Sequence, residues 1–293
     1  MSNVMFSSEQ ITAFIVVLTL CVLVPVFLFV RYYMTKKPRL SSFFIGCLGA
    51  ILLVGGKYLF DMIFIMLLDL GGYINPSVHP VWTAIYVAAE SSILMTLITW
   101  LLLRYGMEGR QGRENAFFML IGKGAVYVIA YGATSAATYL SVALTVNQGG
   151  LDAYLKSITD ASARSTQQTA ITALAARPVA EIVSEGLLFL VVMVIQLAAG
   201  VLIYMAMHKT KDILTKEKLA YIRKKEKQDL AWYEKRTGGL IPLAVILQFL
   251  VILPLTVLQV GLAQDYAIIL LIADCLLTLA AGFACYTVFK QLN

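Results

Sequence analysis

Charge is scarce in this sequence. Asp, Glu, Lys and Arg together make up 14% of its 293 residues, against about 25% in an ordinary soluble domain. With 60% of the residues hydrophobic and a mean hydropathy of +0.81, a water-soluble globule is excluded. Strand-like alternation over about ten residues is also missing, which excludes a transmembrane β-barrel. Histidine is nearly absent, with His79 and His208 alone. Counting the apolar runs puts these two on opposite sides of a membrane about 30 Å apart, so they do not share a metal. The sequence contains no HExxH, no GxxxxGK phosphate loop and no internal repeat. Cys21, Cys47, Cys275 and Cys285 all lie inside apolar runs without metal spacing. They read as small apolar residues rather than as disulfides or ligands. Neither a cofactor nor a metal is expected, and nothing in the pattern points to nucleic acid.

What remains is long apolar runs. In hydrocarbon every backbone polar group must find a partner within the chain, and uninterrupted runs do this as helices. The expected fold is therefore all-α: a polytopic helical membrane protein built as one membrane domain over residues 1–293. Seven spans are expected, at approximately 11–31, 42–68, 81–104, 116–146, 178–207, 240–260 and 266–288. Each reaches the roughly 20 residues needed to cross. The leader MSNVMFSSEQ carries no Lys or Arg and no small-residue cleavage site follows the first run, so that run reads as an uncleaved span.

The basic residues are distributed unevenly. Eighteen of the 23 Lys and Arg fall in segments 31–41, 104–115, 208–239 and the C-terminal tail. Only Lys156, Arg164 and Arg177 fall in the alternate segments, and Lys57 and Lys123 lie within spans. By the positive-inside rule the N-terminus is outside and the C-terminus inside. The polar segment 147–177 then reads as a short exoplasmic helical excursion. The charged segment 208–239 reads as a cytosolic helix or hairpin, or as an arm resting on anionic headgroups.

An ionisable residue inside a span is a functional candidate by default. The candidates are Lys57, Asp61, Glu90, Lys123, Glu181, Glu185 and Asp274, in the polar company of Gln196, Gln248 and Gln259. Lys57 and Asp61 are four apart, which suits a local pair on one helical face. Glu181 and Glu185 follow Pro178 at a helix start, where acidic residues suit the dipole. At about 1.5 Å per residue, Lys57, Glu90 and Asp274 come out at one level in the outer half. Lys123 and Gln248 come out nearer the cytosol.

Four stretches carry a resemblance. They are AAESSILMTLITWLLLR with Glu90 and Ser91, IGKGAVY with Lys123 and Tyr127, SEGLLFLVVMVIQLAAG with Glu185, Gly186 and Gln196, and LAVILQF with Gln248. Their order resembles the YhfC family of bacterial intramembrane peptidases, relatives of the CAAX-prenyl-protease-like membrane proteins. The resemblance implies a helical bundle whose glutamates and histidines activate water for peptide hydrolysis. This sequence departs from it at several positions: Ser91 and Tyr127 stand where the family has glutamates, Lys123 and Gln248 where it has histidines, and Gly186 where it has arginine. A lysine ammonium has three donors and no acceptor. The resemblance, with these departures, implies a non-hydrolytic relative that binds a membrane peptide, a lipid or a partner helix. Three other readings stay open. One is an active peptidase with Glu90 or Glu185 as base and Lys123 as electrophile. The others are a small-solute transporter, and a membrane subunit whose charges are interhelical pairs.

Overall fold

A computed structural model describes residues 4–67, 74–76, 78–107, 112–156, 158–207, 239–262 and 264–291. The segment expected to be a basic cytosolic arm, 208–239, lies outside the described residues except for Gly239. All regular structure among the described residues is helical. In chain order the α-helices are α1 (Ser8–Lys36), α2 (Leu40–Asp61), α3 (Pro80–Leu101), α4 (Arg113–Tyr127), α5 (Thr134–Gly149), α6 (Leu151–Leu155), α7 (Ala161–Ala176), α8 (Val179–Met207), α9 (Leu240–Gln259) and α10 (Ala267–Gln291).

Among the described residues, six continuous helical stretches are long and apolar enough to cross a bilayer: Ser8–Lys36, Leu40–Ile65, Pro80–Gly106, Arg113–Gly149, Val179–Met207 and Leu240–Gln259. Helix α10 adds the shorter apolar stretch Ala267–Phe283. The chain is thus a polytopic helical membrane protein, and its exposed apolar side chains, such as Phe27, Leu48 and Phe283, face lipid.

Local chemistry sets several boundaries. Ser7 and Gln10 close a capping box ahead of α1, each side chain accepting from the other's backbone N–H. Lys37 ends α1 in the left-handed region at φ 48°, with its N–H donating to Tyr33 O. The Asp160 carboxylate accepts from the N–H groups of Ser162 and Ala163 at the start of α7.

Helix α8 is the axis of the molecule. Of its most apolar window, 83% is buried, against 28% for the window in α1 and 22% for that in α2. Helices α1, α3, α4, α9 and α10 all pack on it. Most of the buried apolar side chains form one core along α8. A smaller core at the N-terminal end joins Phe6 and Phe14 to Val146, Ile171, Leu174 and Ile182.

Helices α2 and α4 cross with their backbones in contact. A Cβ at Gly46 would collide with Met119 O, and one at Gly122 would collide with Phe43 O. Small residues at a crossing allow this approach between helices in lipid. The glycine before Lys123 therefore serves packing.

Among the described residues, three π-helical segments interrupt the spans: Met62–Leu67, Leu102–Gly106 and Val128–Ala133. Hydropathy carries no sign of them. A wider turn shifts the residues that follow it around the helix axis. The third segment brings the rings of Tyr127 and Tyr131 to 5.0 Å between centroids.

Candidate functional site

Helix α3 gathers the polar contacts of the membrane interior. Lys57 Nζ on α2 donates to Glu90 Oε2 at 2.5 Å. Lys123 Nζ on α4 donates to Met95 O at 2.9 Å and to Thr99 Oγ1 at 2.5 Å. Gln248 Nε2 on α9 donates to Thr96 Oγ1 at 2.7 Å, and Thr256 Oγ1 donates to Ala84 O at 3.1 Å. These bonds join α3 to α2, α4 and α9. Together they satisfy polar groups that lipid cannot.

The spacing of Lys57 and Asp61 suggested a local pair, and the structure corrects it. Lys57 reaches across to Glu90, while Asp61 Oδ1 accepts from the Tyr86 hydroxyl at 3.1 Å. Burial explains the choice. Glu90 is 1% exposed, whereas Asp61 is half-buried at the end of α2. A buried carboxylate loses far more than a half-solvated one if left without a cation.

Beside this pair lies a cavity of about 110 Å³. Lys57, Ser91, Tyr127, Tyr131, Thr256 and Gln259 supply its polar wall. Ser91 and Tyr127 therefore converge, with Glu90 held next to them by Lys57. Lys123 and Gln248 do not line the cavity. They bind α3 at Met95, Thr96 and Thr99, one to two turns further along the helix than Ser91. Lys123 is 2% exposed, and its partners are a carbonyl and a hydroxyl rather than a carboxylate.

The remaining candidates lie elsewhere. Glu185 is one of two carboxylates on Arg177, which donates through Nη2 to Glu185 Oε2 and through Nε to Glu181 Oε1. Asp274 is buried on the face of α10 packed against the core, and its Oδ2 has no partner among the described residues. It makes no ion pair with Lys57, which is held by Glu90, so the shared level expected from residue counting does not become a shared site. Gln196 is buried on α8 with both amide atoms unpartnered among the described residues.

By charge distribution alone Arg177 is a loop cation. Burial works against its charge, but Glu185 and Glu181 together raise the guanidinium above its ordinary value. Gln10 fixes the backbone here by donating to Ala175 O at 3.0 Å and Arg177 O at 2.8 Å. Phe6 and Asn147 exchange two bonds of 2.8 Å nearby. The sequence did offer a signal, since Arg177, Glu181 and Glu185 are spaced at four residues. Thr96 and Thr99 were also missed, because threonines in an apolar run read as neutral filler.

No curated protein and no solved structure matches the chain. A family model described as YhfC intramembrane metalloprotease matches residues 20–224. The match begins within α1, takes in α2 to α8, and leaves Gln248 and Asp274 outside it. It covers well over half of the sequence, and the chain belongs to the YhfC intramembrane metalloprotease family.

Proposed function

We propose that this chain is a non-hydrolytic member of its family, which keeps the helical frame and uses the cavity beside α3 to hold a membrane peptide, a lipid or a partner helix. The family description implies a metal, and the residues present do not fit one. Zinc is bound by cysteine thiolate, histidine nitrogen or carboxylate oxygen, with at least three protein ligands. Among the described residues no three His, Cys, Asp or Glu side chains cluster. The cavity wall offers hydroxyls, an amide and an ammonium. Of the carboxylates near it, Glu90 already has Lys57 as its counter-ion and Asp61 accepts from Tyr86. A cation placed there would have to compete with a lysine.

That ion pair is the observation that carries the reading. A general base must reach the water it deprotonates, and Glu90 is instead spent on neutralising Lys57. Lys123, at the position where the resemblance implies histidine, points its donors at α3 rather than at the cavity. The family resemblance and the uneven distribution of Lys and Arg support a bacterial cytoplasmic membrane as its location.

The test is incubation of the purified protein with a broad library of transmembrane peptides, with and without added Zn²⁺. Every peptide should remain intact. Cleavage that disappears in Glu90→Gln would overturn the reading in favour of an enzyme. The double substitution Lys123→His with Tyr127→Glu should also leave the peptides uncut, because Ser91 and the Lys57 counter-ion are unchanged.

A further inference from the structure

A second and larger concavity lies at the N-terminal end of the bundle, walled by α5, α6, α7, α8 and the end of α9. Its volume is about 420 Å³, within the roughly 300–1,000 Å³ of small-molecule sites. It sits where α5 and α9 end and α8 begins, so it lies at the level of lipid headgroups. On the charge distribution this is the exoplasmic side. Its charged residues are Arg177 and Glu181.

The electrostatics there are unbalanced. One guanidinium serves two carboxylates, Glu181 and Glu185. Arg177 is therefore already committed, and the cleft is not an anion site. Glu181 is 1% exposed, and its Oε2 is buried without a partner among the described residues. A buried carboxylate oxygen without a donor is costly, and a ligand N–H would satisfy it. Tyr139 and Tyr154 in the wall add aromatic rings, a chemistry that suits a cation. Val142, Ile171 and Leu258 give the same cleft apolar surface.

We propose that this cleft binds an amphiphile with a primary ammonium head, the chemistry of an aminophospholipid of the outer leaflet, with Glu181 Oε2 accepting from the ammonium. The preference is for N–H over N–CH₃ heads, because the unpartnered oxygen calls for a donor and not merely for charge. This inference does not rest on the loss of hydrolysis, since an active peptidase could carry the same cleft. Gln259 lines both this cleft and the cavity beside α3.

The experiment is native mass spectrometry of the full-length detergent-purified protein with phosphatidylethanolamine, phosphatidylcholine and phosphatidylglycerol of equal chain length. Phosphatidylethanolamine should be retained preferentially. Glu181→Gln should weaken that retention roughly tenfold or more, the loss of one charge-assisted hydrogen bond. Ala170→Trp, on the exposed rim, should block the cleft while leaving its charges in place. Soluble ethanolamine at matching concentration should not displace the lipid, because it lacks the apolar part.

Equal binding of the three lipids, or phosphatidylethanolamine retention unaffected by both variants, would overturn the proposal. Displacement by soluble ethanolamine would assign the cleft to a small amine. A lysine-ended transmembrane peptide that bound through Glu181 where phosphatidylethanolamine did not would assign it to a peptide. Either result would overturn the lipid assignment. Peptide cleavage in the separate hydrolysis assay would leave this result untouched.

Discussion

Two glutamate sites in this protein differ in how their carboxylates meet the cation at each. Between α2 and α3, Lys57 pairs with Glu90 alone, while Asp61, close enough to act on Glu90, accepts from the Tyr86 hydroxyl instead. At the head of α8, Glu181 and Glu185 share one cation, Arg177, and the group carries one net negative charge. The first pair lies beside a small cavity of about 110 Å³, the second beside a cleft of about 420 Å³. In the first site the cation joins two helices; in the second it joins two successive turns of one helix. Each site leaves one buried carboxylate oxygen, Glu90 Oε1 or Glu181 Oε2, without a partner among the described residues.

Stability measurements sharpen this contrast. Arg177→Met leaves two carboxylates facing each other with no cation and should be the most damaging of the single changes considered, costing about 4 kcal/mol by unfolding in mixed micelles. Lys57→Met should cost about 3 kcal/mol, since it strands Glu90. The double variant Lys57→Met with Glu90→Gln should recover most of that loss. If the double is worse than the single, the pair is not the closed unit described here.

Smaller effects test the α4 surface. Gly122→Ala drives a Cβ into Phe43 O and should cost about 2 kcal/mol, in the range for overpacking. Lys123→Met should stay within about 1 kcal/mol of the parent. It removes a buried charge that has only neutral partners and replaces it with an apolar side chain of similar length. A loss as large as that of Lys57→Met would mean that Lys123 has a charged partner outside the described residues.

The solvent made the fold legible. Lipid permits little besides helices, so apolar runs mark them directly, and the starts and ends of α1, α8 and α9 lie near the boundaries read from hydropathy. What lipid does not encode is which face meets which. Lys57 and Asp61 share a face by periodicity, but the partner of Lys57 is decided by how closely α2 approaches α3 and by how deeply Glu90 is buried. Lys57 and Glu90, counted to one level, meet, while Asp274, counted to the same level, makes no ion pair with Lys57. Level follows from sequence, and azimuth does not.

The π segment at Val128–Ala133 makes the azimuth harder still to read. It shifts everything after Tyr127 around the axis, and its residues, VIAYGA, look like any apolar run. Arg177 went unread for a different reason. It stands at the water boundary, where a cation needs no explanation, and only burial beside Glu181 and Glu185 gives it a role.

The central claim is that the donors beside α3 do not make a zinc site, and the most direct measurement is a calorimetric titration of Zn²⁺ into the chelator-treated protein, in parallel with Glu90→Gln. The account predicts no tight equivalent attributable to the membrane interior, and the same isotherm for both proteins. One tightly bound equivalent in the parent that disappears in Glu90→Gln would contradict it.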